Sequence, residues 1–181
     1  MQFFHTSRTL CLVLLIGLTL AGCGSKDWRT ASRESAGIAP NPATHPEAVI
    51  LVYGASTWGW RGWFAIHTWI ATKPHNSQSY TVYELIGWRQ RRGLPMVRVE
   101  QDLPDRYWYG ERPRLIKELR GADAAQLIPR IAAAAKSYPW PDRYQAFPGP
   151  NSNTFIAWIG RQVPELQLEL PFSALGSGYQ E

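Results

Sequence analysis

Pro148-Gly149-Pro150-Asn151-Ser152-Asn153-Thr154-Phe155 is a turn that runs into a helix start. The two prolines restrict the approach and Gly149 permits a sharp bend. Asn151, Ser152 and Asn153 are all good N-cap residues ahead of the apolar positions Phe155, Ile156, Trp158 and Ile159. A helix is therefore expected from about Asn153 to Arg161, ending before Pro164. A side chain on its first turn would meet unpaired backbone N–H groups and the positive end of the helix dipole, which stabilise a developing anion. Ser152 is thus a candidate nucleophile, and its competing role is that of an ordinary helix cap.

Upstream of this turn the pattern is first of strands and then of a helix. Val49 to Tyr53 is an apolar β-branched run typical of a buried strand, and Ala65 to Thr72 and Tyr80 to Ile86 alternate like half-buried ones. Pro95 to Val99 is expected to pair back after Arg91-Arg92-Gly93. Asp123 can cap a helix with Ala124, Leu127, Ile128, Ile131 and Ala135 on one face, which Pro129 is expected to kink or split. Strands first and helices afterwards imply an α+β domain, an antiparallel sheet with packed helices, over residues 48–181.

Two residues on those strands can serve Ser152. His67 lies on the face of its strand opposite Ile66 and Ile70 and can act as a general base. Glu84, on the next strand, can fix the imidazole tautomer and stabilise its charged form, with Tyr83 the rival if the facing is reversed. Packing of His67 against Trp69 is the plainer alternative. His45, His67 and His75 are not at metal-ligand spacing, so neither a metal nor a cofactor is expected.

Aromatic residues supply a second signal. Trp58-Gly59-Trp60-Arg61-Gly62-Trp63 places three Trp and an Arg in one loop, and Tyr107-Trp108-Tyr109 forms another cluster. Trp58, Trp60 and Trp63, with Asn151, Asn153 and Tyr83 near the turn, are the candidate ligand contacts; core packing is the alternative for most of the nine Trp. Arg89, Arg91 and Arg92 could contact phosphate or carboxylate, or simply form a solvated hairpin tip.

Residues 1–22 hold one Arg and no acid, with an apolar run from Leu10 to Leu20 that is short for a membrane span. Leu20-Ala21-Gly22-Cys23 resembles a bacterial lipobox, which implies cleavage before Cys23, lipidation of Cys23 and an anchor in the cell envelope. Gly24 in place of Asp favours the outer membrane, facing the periplasm. Residues 23–47 then read as the lipidated Cys and a flexible tether. Loss of Arg8 with the leader leaves 18 basic and 14 acidic side chains, a net of +4 that suits anionic lipid or cell-wall surfaces and needs no nucleic acid. No thiol nucleophile or disulfide remains once Cys11 is removed and Cys23 is lipidated.

Tyr83-Glu84-Leu85-Ile86-Gly87-Trp88-Arg89, the Pro148 to Phe155 turn, and Leu170-Pro171 with Ala174-Leu175-Gly176 resemble the bacterial domain of unknown function family 3750 over nearly all of residues 48–179. More distantly, a strand His, an acid on the following strand and the Asn-Ser-Asn-Thr-Phe helix start resemble the circularly permuted branch of the NlpC/P60 papain-like superfamily. That second resemblance implies a permuted papain-like architecture and acyl chemistry on amides, esters or thioesters of peptides or lipids. Ser152 stands where that superfamily has Cys, and a site shaped for a resting thiolate loses activity with oxygen in its place. Three readings follow: a ligand-binding or pseudoenzyme domain for peptidoglycan, lipid or an envelope peptide; a hydrolase or acyltransferase using Ser152, His67 and Glu84; and a structural envelope partner.

Overall fold

In the computed structural model, residues 27–180 are described. The leader 1–22, the lipidation site Cys23 and the first residues of the expected tether lie outside them. The chain divides into units 1–31 and 32–181. Of the first, the described part is a turn in which the Asp27 carboxylate accepts from the Arg29 amide at 2.9 Å.

The second unit is built on five strands: β1 (Val49–Ser56), β2 (Ile66–Lys73), β3 (Thr81–Leu85), β4 (Val97–Gln101) and β5 (Arg114–Arg120). They form one antiparallel sheet in the order β4-β3-β2-β1-β5. Two helices follow, α1 (Gly121–Lys136) and α2 (Ser152–Gln162). The α+β class read from the pattern is the class observed.

Strand β1 lies inside the sheet between β2 and β5 and is apolar on both faces because both are covered. Ile50 and Val52 join Ile70, Tyr83 and Leu85 under α1 and α2, through Leu127, Ile131, Phe155, Ile156 and Ile159. Val49, Leu51 and Tyr53 join Trp69, Ala71, Val82 and Trp108 on the other face. Period-2 alternation thus divides one run between two cores.

Strand β5 has no counterpart in the sequence reading. It pairs with β1 at the sheet edge, and a register shift between Val52 and Tyr53 disturbs its alternation. Gly121, at φ +69°, makes the turn from β5 into α1. Asp123 sits in the first turn of α1 and is not its cap. The helix runs through Pro129 unbroken, because Pro129 is on the exposed side, where water can serve the carbonyl that loses its amide partner.

The expected flexible tether is corrected over residues 32–47. Asp105 holds this segment as a strap: its carboxylate accepts from Ser35 Oγ at 2.8 Å and from the amides of Ile38 and Ala39 at 2.7 and 3.1 Å. The Tyr107 amide donates to the Glu34 carbonyl and Tyr80 Oη to the Pro40 carbonyl. A polar composition without an apolar period did not preclude order, because one buried carboxylate collects the strap's donors.

Candidate functional site

The β1–β2 ladder runs over eight pairs, whereas the β2–β3 ladder runs over three, from Ile70 opposite Tyr83 to Thr72 opposite Thr81. Beyond Ile70 the helix start takes over from β3. Asn153 Nδ2 donates to the Ile66 carbonyl at 2.9 Å, and Asn153 Oδ1 accepts from Thr68 Oγ1 at 2.9 Å. One side chain therefore bonds both neighbours of His67.

Asn151 caps α2. Its Oδ1 accepts from the amides of Asn153 and Thr154, and Thr154 Oγ1 accepts from the Asn151 amide in return, completing a capping box. Both amide side chains also donate to the Leu175 carbonyl, at 3.0 Å from Asn151 and 2.9 Å from Asn153. Gly176, at φ +87°, lies so close that a Cβ there would sit 2.2 Å from Asn151 Nδ2. The amides expected to contact a ligand have their polar atoms engaged within the protein.

His67 and Glu84 are joined directly, Nε2 to Oε2 at 3.2 Å. His67 is 5% exposed and Glu84 fully buried. Glu84 Oε1 accepts from Arg98 Nη1 at 2.7 Å and from Arg106 Nη2. The Asp102 carboxylate receives both arginines again, at 2.8 and 3.0 Å, closing a charge ring of two acids and two guanidinium groups, and Arg98 Nε also reaches the Glu100 carboxylate at 3.1 Å on its rim. Trp108 stacks flat on the imidazole, with centroids 3.6 Å apart and planes 6° apart.

This environment sets the protonation states. Burial opposes the charge on Glu84, but the hydrogen bond from His67 and the charge of Arg106 outweigh it and hold the carboxyl at about 2. Burial also lowers the His67 pKa, with Glu84 pulling it up and Arg106 pushing it down. A neutral imidazole facing an ionised carboxylate must carry its proton on Nε2, since the carboxylate can only accept. The Nδ1 lone pair is then left as the basic position.

The family model described as "Protein of unknown function (DUF3750)" matches residues 47–179. The chain belongs to this DUF3750 family. Comparison with curated proteins and with solved structures gave no match. The DUF3750 span holds the whole sheet, both helices and the His67 cluster, and starts at the end of the strap.

Within that span the sequence-derived residues separate clearly. Glu84 is the partner of His67, and Tyr83 points the other way into the core under the helices. Ser152 is 6% exposed at the first turn of α2, and no hydrogen bond joins its hydroxyl to His67 among the described residues. Trp60 and Trp63 are exposed in a 3-10 turn, Gly59–Trp63, while Trp58 packs edge-on against Tyr109. Arg98, Asp102 and Arg106 were missed; their approach to Glu84 depends on tertiary pairing that no local motif announces. Trp108 was noted only as part of an aromatic cluster. Among the described residues no three His, Cys, Asp or Glu side chains converge as a metal site.

Proposed function

We propose that this is a lipid-anchored cell-envelope domain on a permuted papain-like scaffold that binds an acyl or peptide ligand beside the Ser152 helix without turning it over. Cys23 carries the anchor, which places the domain at the outer membrane facing the periplasm. A helix start beside a strand His, with its acid on the next strand, supports the scaffold. The observation that carries the binding reading is the unformed nucleophile–base pair. Ser152 has no hydrogen bond to His67, and the Glu84 oxygen that does not face the imidazole is taken by two arginines. A carboxylate neutralised in this way stabilises an imidazolium poorly, which weakens His67 as a base toward a hydroxyl of high pKa.

A hydrolase or acyltransferase is the second reading, favoured by the fixed tautomer that leaves Nδ1 basic. Exposure to a serine-directed fluorophosphonate followed by intact-mass measurement separates the two. Binding without turnover predicts no adduct on the folded protein. A single adduct on Ser152 that disappears in Ser152→Ala and His67→Ala would overturn it in favour of acyl chemistry.

A further inference from the structure

Where β1 meets β5, Gly54 lies opposite Arg114 and leaves the sheet without a side chain at that point. Two clefts of about 580 and 470 Å³ open there and share Gly54, Ile66, Arg114 and Ser173 as a common wall. The first adds Arg112, Trp63 and Phe64. The second adds Leu115, Ile116, Leu170 and Pro171, an aliphatic trough.

The side chains of Arg112 and Arg114 have no ion pair or hydrogen bond among the described residues. Glu111, also on the first cleft, has a partner of its own, and Glu169 lines only the second, so the first is the cationic end. Its wall carries exposed aromatic side chains, Trp63 at 91% and Phe64 at 49% exposure. Large aromatic groups left in water around a concave site mark a surface that is covered in use. Two free guanidinium groups favour an acid, since planar forked donors match carboxylate and phosphate oxygens.

We propose that this groove binds an anionic amphiphile, with its carboxylate or phosphate on Arg112 and Arg114 and its acyl chain along Ile66, Ile116 and Leu170. Of these residues only Ile66 touches the His67 and Ser152 cluster, through its backbone carbonyl, while the two arginines that hold the acid group do not. The inference therefore stands or falls independently of the function proposed for that cluster.

Photocrosslinking of the full chain with a diazirine-bearing palmitate, followed by peptide mapping, tests it. Adducts are expected in peptides holding Ile66, Ile116 or Leu170, about tenfold fewer in Arg112→Gln/Arg114→Gln, as loss of two charge-assisted contacts implies. The methyl ester of the same probe is expected to label as weakly as the variant does with the acid. The same chain carried on lysophosphatidylglycerol tells a phosphate source from a carboxylate one, and charge-dependent labelling by either supports the site. Equal labelling of wild type and variant, equal labelling by acid and ester, or adducts confined to other segments would overturn it. Both arginines are exposed, so the variant is expected to melt like the wild type, which circular dichroism checks.

Discussion

Glu84 presents one carboxylate oxygen to His67 Nε2 at 3.2 Å and the other to Arg98 and Arg106. Both members of the pair titrate in the same direction for stability. The folded His67 pKa lies below its ordinary 6.5, so the unfolded chain takes up that proton first, and stability falls as pH drops below about 6.5. Glu84 is lowered from 4.5 to about 2, so its contribution is complete above about 4.5 and is lost as pH falls toward 2. Urea midpoints measured across this range should fall in two steps, and His67→Asn should remove the upper one. A midpoint independent of pH from neutrality down to about 4 would contradict the buried neutral imidazole.

The charge ring makes Glu84 a structural residue as well. Glu84→Gln keeps the shape but removes the one fully buried counter-charge, leaving Arg106 with Asp102 alone and Arg98 with Asp102 and the exposed Glu100. Removing one partner of such a pair costs about 3–5 kcal/mol. Chemical denaturation should show a loss of that size. A loss below about 1 kcal/mol would mean that water reaches the arginines and screens them.

The parts of this arrangement differ in how far the sequence announces them. β2 and β3 are neighbouring alternating strands, so His67 and Glu84 could be matched from periodicity and chain order alone. β5 was hidden because Arg114-Leu115-Ile116-Lys117-Glu118-Leu119-Arg120 is largely charged, as edge strands are, and the register shift beside it breaks the alternation. Arg98 and Arg106 lie 14 and 22 residues from Glu84, and only folding shows that both reach one oxygen. The strap was hidden for a different reason. Its order comes from one acceptor, Asp105, 66 to 70 residues away, and composition records no such pairing.

Ser152 and Asn153 are neighbours with opposite expected sensitivity. Asn153 makes side-chain hydrogen bonds to Ile66, Thr68 and Leu175 at a buried position and closes the sheet where β3 leaves β2. Asn153→Ala strands the Ile66 carbonyl and the Thr68 hydroxyl, while the Leu175 carbonyl keeps its bond from Asn151, at roughly 1–3 kcal/mol for each buried group left unmet. A total of about 2 kcal/mol or more is expected. Ser152→Ala removes a hydroxyl with no hydrogen bond among the described residues and should shift stability by less than about 1 kcal/mol. Parallel denaturation of the two variants decides it; a large loss at Ser152 would show that its hydroxyl has a structural partner.

Asp105 links the strap to the cover over His67. Its carboxylate holds Ser35, Ile38 and Ala39, while the next residues in the chain, Arg106 and Trp108, hold Glu84 and stack on the imidazole. Without the carboxylate the Ile38 and Ala39 amides lose their acceptor, and the strap edge along Arg106 and Tyr107 keeps only backbone contacts. Local opening of this loop then becomes easier without global unfolding. Asp105→Ala should therefore raise the rate of His67 modification by diethyl pyrocarbonate several-fold, read by peptide mass, while His75 on the surface changes little. Deleting residues 32–40 should reproduce the effect. If His67 reacts at the wild-type rate in both variants, the Trp108 cover holds itself in place and the strap is only a passenger on it.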